Sequence, residues 1–137
     1  MLLYAEIDAF PQHAGAKAWW EDLLNGERQV GLAGVALFGF LRLTTNRRVF
    51  IDPLAVPDAL DRVRSWLARP NTTFLVPGTR YLETAFRLLE QLGTGSNLTT
   101  DVQLAAHAME HGGELHSNDR DFGRFDGLRW VDPLAAA

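Results

Sequence analysis

Apolar residues along this chain recur alternately at helical and strand periods, and the elements they predict run almost from end to end. Leu2 to Glu6 reads as a helix stub, followed by the connector Asp8-Ala9-Phe10-Pro11. From His13 to Leu24, Ala16, Trp19, Trp20, Leu23 and Leu24 return every three or four residues, the spacing of one helix face, and Asn25-Gly26 stops the run. Gln29 to Ala33 predicts a short buried strand. Val35 to Thr44 is apolar around most of its circumference and suits a helix packed on both sides. Gly39 within it costs about 1 kcal/mol against alanine, so close packing there is one reason for its presence. Thr45 to Pro57 is irregular. Pro57 fits the first position of a helix running to Arg69, with Leu60, Val63, Trp66 and Leu67 inward, and Pro70 forbids its continuation. Thr73 to Val76 is β-branched and aromatic, hence a strand, and Pro77-Gly78 turns the chain. Arg80 to Leu92 predicts an amphipathic helix with Leu82, Ala85, Phe86, Leu89 and Leu92 inward, capped by Gly93.

The stretch after Gly93 carries the chemistry. Thr100 is a candidate N-cap, and Gln103 three positions on completes a capping box. Asp101 then falls in the first helical turn, where a carboxylate suits the positive end of the helix dipole. Val102 to Met109 is apolar save for Gln103 and His107, which form one narrow stripe with Glu110, and this predicts a largely buried helix. Gly112-Gly113 ends it. Glu114 to Ser117 is a minimal strand, Asn118-Asp119-Arg120-Asp121 a turn, and Trp130-Val131 a last strand. Strand–helix alternation predicts an α/β fold with a parallel sheet in one domain spanning residues 1–137.

In such sheets ligands gather at the carboxyl ends of strands. Asp119 follows a strand directly, and Asp101 opens the helix that leads into it. Carboxylates converging there suit a hard divalent cation such as magnesium. Taken singly, Asp101 reads as a helix-terminus charge and Asp119 to Asp121 as an Asx turn; together they favour a site.

Composition narrows the alternatives. The chain has 137 residues, 47% of them hydrophobic, and a formal net charge of -4, so bulk electrostatics do not advertise nucleic-acid binding. Acids concentrated at a metal site lower that charge locally, which weakens the objection to an RNA partner. The absence of cysteine excludes thiolate ligands and nucleophiles. With no run of transmembrane length and no leader-like start, a cytoplasmic protein is expected. His107 and His111 are spaced i,i+4 but lack the accompanying acid of a zinc helix, and a solvent-facing pair is expected. Gly93 to Asn97 lacks the Lys-Ser/Thr of a phosphate loop, and no G-x-S-x-G elbow exists.

The segment NLTTDVQLAAHAMEHGGELHSNDRDFGRFDGLRWVDPL (Asn97 to Leu134) resembles the C-terminal half of PIN-domain toxins of the VapC type. GLAGVALFGFLRLTTNRRVF (Gly31 to Phe50) and LLYAEIDAFPQHAGAKAWW (Leu2 to Trp20) resemble the middle and opening of one branch of that family. The resemblance implies a PIN-like three-layer fold, a parallel sheet flanked by helices. It also implies a magnesium- or manganese-dependent endoribonuclease restrained by a VapB-type antitoxin. Asp101 and Asp119 match the family's two downstream metal-site acids, and Asp121 sits beside them as a further candidate catalytic acid. Family members begin with a strand ending in Asp-x-Asn, central in the sheet, ahead of the helix that Leu2 to Ala5 matches. This sequence starts at that helix and presents no counterpart to the strand or its aspartate. Gly39 stands where a second family acid normally lies, so close packing and a vacated acid position are both open.

For RNA contact, Arg42, one helical turn after Gly39, is the first candidate, with a structural ion pair to Asp101 or Asp119 as its alternative. Arg47 and Arg48 are surface cations, and Asn97 and Asn118 are loop amides able to bond phosphate or metal-bound water. Two ions, about 3.5–4 Å apart, call for three or four acids. The further acids Glu6 and Asp8 lie on a loop that need not face the pocket. Two functions follow from the resemblance: a toxin ribonuclease, or a catalytically impaired PIN-like module that only binds an antitoxin or self-associates. Trp19, Trp20, Phe38 and Phe40 offer more apolar surface than helices on one small sheet need bury, which predicts a homodimer or a toxin–antitoxin hetero-oligomer.

Overall fold

The structure, a computed structural model, describes residues 1–95 and 98–135. Two compact units emerge, Met1–Leu75 and Val76–Ala137. Helices and parallel strands alternate in both, giving the mixed α/β class expected. Among the described residues the strands pair two by two, so each unit holds its own two-stranded parallel sheet where the resemblance places one sheet around an additional strand.

The first unit contains helices α1 (Leu2–Glu6), α2 (His13–Asn25), α3 (Gly34–Thr44) and α4 (Val56–Leu67), with strands β1 (Val30–Ala33) and β2 (Thr72–Leu75). β1 and β2 run parallel from Val30 opposite Thr72 to Ala33 opposite Leu75. The loop before β1 is held by Asn71, whose side-chain amide donates to the Leu23 and Arg28 carbonyls at 2.8 and 3.0 Å. The core is aromatic. Trp66 is 2% exposed, and its ring lies edge-on to Trp20 and Phe40 at 5.6 and 4.8 Å. Its indole N–H donates to Glu6 Oε1 at 3.0 Å, while Arg62 Nη1 holds Glu6 Oε2 at 2.9 Å. A buried indole N–H needs such an acceptor.

Burial corrects two expectations in this unit. Trp20 and Phe40 belong to the core and leave no surface for a partner, whereas Phe38 is 72% exposed. Leu67 faces partly outward because Ala59, Val63 and Trp66 define the buried stripe of α4. Gly39 is resolved on the packing side: a Cβ built there meets nothing within 4 Å. Close approach is therefore not what keeps glycine in α3. Gly39→Ala should stabilise the chain by about 1 kcal/mol through helix propensity alone, measured by urea denaturation. A destabilised variant would show an approach that the backbone geometry does not contain.

The second unit contains α5 (Tyr81–Leu92), α6 (Leu98–Glu110), β3 (Glu114–His116), a 3-10 helix (Arg120–Arg124) and β4 (Arg129–Val131). α5 packs on α6 through Tyr81, Ala85 and Leu88 against Val102, Ala105 and Ala106, with Phe122 and Phe125 closing the core. The predicted inward face of α5 is therefore rotated. Leu82 and Phe86 lie more than 40% exposed, because Tyr81, Ala85 and Leu88 at i, i+4 and i+7 take the contact stripe. Gly93 and Gly112 end their helices with φ of 69° and 62°, the left-handed geometry glycine adopts without strain. Glu110 reaches from the end of α6 to the start of α5, accepting from the Gly78 and Arg80 N–H groups at 2.8 and 3.1 Å. The Gly78 N–H holds its carboxyl below the usual range. β3 pairs with β4 in parallel, Glu114 opposite Arg129.

The start of α6 also differs from expectation. The helix begins at Leu98, so Thr100 is internal and forms no capping box; Gln103 Nε2 instead donates to the Thr99 carbonyl at 3.3 Å. His107 is buried rather than solvent-facing, its ring lying over Tyr81 at a centroid distance of 4.5 Å. The apolar neighbours Ala105 and Ala106 turn that face of α6 inward and carry His107 with it. Desolvation, then the neighbouring His111, holds its pKa below the ordinary value. No helix among the described residues is long and apolar enough to cross a membrane.

Candidate metal centre

Three local structures deliver three carboxylates to one place in the second unit. Asp101 sits in the first turn of α6, where the unpaired N–H groups of the helix end favour an anion. Asp119 follows β3 and caps the 3-10 helix: its Oδ1 accepts the Asp121 N–H at 2.9 Å. The Asx turn read from the sequence is thus real, and it also aims the site. Ser117 Oγ accepts the Asp119 N–H at 3.1 Å, while Ser117's own carbonyl accepts the Trp130 indole N–H at 2.8 Å. Phe122, buried in the α5–α6 core, anchors the 3-10 helix one residue beyond Asp121.

Asp101, Asp119 and Asp121 each offer an oxygen, and these atoms all lie within 4.8 Å of one another. Such proximity has an electrostatic consequence. Desolvation, followed by the charges of Asp119 and Asp121, pushes the Asp101 pKa from 3.8 up to about 6. The cluster by itself holds more negative charge than its surroundings neutralise. An all-oxygen donor set with unbalanced charge fits a hard divalent cation, which would be held by these three side chains and by water.

The remaining sequence candidates are placed differently. Asn118 lies between β3 and the 3-10 helix, directly before Asp119. Asn97 lies outside the described residues. Arg42 is exposed on the last turn of α3 in the first unit, and Arg47 and Arg48 are exposed beyond it. Glu6 is bonded to Arg62 and Trp66, and Asp8 is exposed in the connector after α1. His111 Nδ1 bonds the His107 carbonyl at 2.8 Å and His107 is buried, so the histidine pair offers no metal face.

One cation beside the cluster escaped the sequence reading. Arg124 Nε stands 3.5 Å from Asp121 Oδ1. The i,i+3 spacing of Asp121 and Arg124 was visible, but only the 3-10 helix puts the two on one side.

Comparison with known proteins places this arrangement in context. Residues 2–128 match the PIN domain family. The chain is 54% identical over 134 residues to "Ribonuclease VapC33" of Mycobacterium tuberculosis, covering 98% of this chain and 94% of that protein. It is 40% identical over 135 residues to "Ribonuclease VapC37" of the same species, with the same coverage. Among solved structures, VapBC2 from Rickettsia felis, bound to a DNA fragment from its promoter, has a similar fold. That match has a TM-score of 0.66 at 16% identity and covers 94% of this chain and 90% of the other.

Proposed function

The chain belongs to the PIN-domain family, in its VapC branch, and on that premise we propose that it is a metal-dependent endoribonuclease, the toxin of a type II toxin–antitoxin pair. The observation that carries this reading is the convergence of Asp101, Asp119 and Asp121 within 4.8 Å. Magnesium or manganese is the cation, RNA the substrate, and a VapB-type antitoxin the partner, with action in the cytoplasm where these meet. The relatives named as ribonucleases support it at 54% and 40% identity.

A divalent ion bound here supplies a water of lowered pKa and neutralises charge developing on the phosphate. The chain's own part is to place oxygens. Asp101 and Asp119 are the proposed metal ligands, and Asp121 is the third acid of the catalytic set. The Asp121 N–H fixes the rotation of the Asp119 carboxylate, and Ser117 fixes the backbone that carries it. Asn97 and Asn118 are proposed to contact phosphate. Residues 1–137 act as a single PIN domain in this proposal, and the exposed Phe38 is offered to the antitoxin or to a second copy.

The second reading is a PIN-like module that binds a partner without cutting RNA. Gly39 favours it, since glycine stands where the family carries an acid and no packing demands it. One experiment separates them. The purified chain should cleave single-stranded RNA with magnesium or manganese, and cleavage should stop with EDTA and return when the ion is restored. Cleavage that persists in EDTA would overturn the metal assignment. Antitoxin binding without any cleavage would leave the second reading standing.

A further inference from the structure

We infer that Arg124 is a substrate-contact residue of this site, binding an RNA phosphate next to the bond that is cut; the inference rests on the ribonuclease reading above. The pairing of Arg124 with Asp121 is loose. A single Nε approaches one carboxylate oxygen at 3.5 Å, with the side chains 60% and 42% exposed. Exposed pairs of this kind contribute little to stability and break at small cost. The planar guanidinium has a donor fork suited to phosphate oxygens, and among the described residues its two terminal nitrogens bond nothing else.

Its position is nonetheless fixed. Phe122 and Phe125 are buried on either side of Arg124 along the chain, so the backbone that carries it is anchored in the α5–α6 core. Asp121 and Arg124 share the short 3-10 helix, so the cation stays beside the acid cluster whatever its side chain binds. In the metal-free cluster Arg124 partly offsets the carboxylates. A divalent cation drawn to the same oxygens competes with it for Asp121, and the guanidinium is then available to phosphate. Arg124 thus acts in opposite senses on the two ligands of the site. It opposes the metal by like charge and favours the polyanion by opposite charge.

That opposition makes the test specific. Manganese affinity is measured by calorimetry for the wild type, Arg124→Gln and Arg124→Lys. Binding of a single-stranded RNA oligonucleotide is measured by anisotropy at several salt concentrations, with all three acids in place and with calcium instead of manganese, a hard cation for the same oxygens that slows cleavage. Arg124→Gln should bind manganese roughly threefold more tightly and RNA about tenfold more weakly, with the salt slope reduced by about one. Arg124→Lys keeps the charge and should restore the salt slope but only part of the RNA affinity. Weaker manganese binding in Arg124→Gln, or an unchanged RNA affinity and salt slope, would overturn the assignment. If the wild type cleaves RNA while Arg124→Gln matches it in RNA binding, this inference alone fails. A wild type that neither binds nor cleaves RNA removes the ribonuclease reading and this contact together.

Discussion

Replacing Asp101 by asparagine should abolish metal-dependent RNA cleavage and, in the absence of metal, make the chain more stable. Asparagine is nearly isosteric with aspartate but carries no charge for a cation, so a loss on the order of 10²–10³-fold or more is expected in the rate. The stability effect follows from the raised pKa. Unfolded, the Asp101 carboxyl titrates near 3.8; folded, burial and the Asp119 and Asp121 charges raise it to about 6. Between those values the folded chain holds more protons than the unfolded one, so stability falls as pH rises through that window. At neutral pH the ionised Asp101 is a net cost, ~1 kcal/mol after discounting for solvent screening. Asp101→Asn should therefore melt higher than the wild type at pH 7.5 in EDTA and at nearly the same temperature at pH 4. Cleavage at the wild-type rate would reduce Asp101 to a helix-terminus charge. A lower melting temperature at pH 7.5 would show that the carboxylate stabilises its surroundings. Sites that hold uncompensated charge for a ligand commonly trade stability for function in this way.

Trp66→Ala should be the most damaging single truncation in the first unit. Trp66 is fully buried between Trp20 and Phe40 and anchors Glu6 through its indole N–H. Removing a buried tryptophan typically costs about 3–5 kcal/mol, from lost burial and from the cavity left behind. The Glu6 carboxylate also loses one of its two donors. Against a total stability of about 5–15 kcal/mol, the melting temperature should fall by roughly 10–20 °C. Phe38→Ala is the control: on the exposed side of α3, it should change stability by no more than about 0.5 kcal/mol. Chemical denaturation of both variants distinguishes a packed aromatic core from aromatics that merely line helices. Equal losses for the two would mean that Phe38 is covered, as a self-associated chain would require.

How much of this was legible beforehand depends on the range of the interaction. Local rules placed β1, β2, β3 and β4 within one or two residues, because short apolar runs between glycine, proline and asparagine leave few alternatives. The helix ends at Gly93 and Gly112 were equally local, since a left-handed residue there favours glycine. Faces were harder. α5 offers apolar residues on two adjoining stripes, and periodicity alone does not say which of them meets α6. His107 was misplaced for a related reason: a polar residue on a helix gives no local signal that an aromatic ring from another helix will cover it.

The sequence by itself determined the α/β class through strand–helix alternation, and through resemblance over whole segments it pointed to the family and to Asp101, Asp119 and Asp121 as candidate acids. Asp101 and Asp119 stand eighteen positions apart, and no periodicity relates them. Tertiary structure alone decided that Asp121 comes within reach of Asp101, and that burial and then the neighbouring charges raise the Asp101 pKa. It likewise withdrew Trp20 and Phe40 from the surface and set Arg124 beside the acids. The physical reason is common to all of these. Backbone preference and burial pattern act over a few residues and can be read along the chain, whereas charge coupling and side-chain contact depend on distances that exist only once α6, β3 and the 3-10 helix have packed.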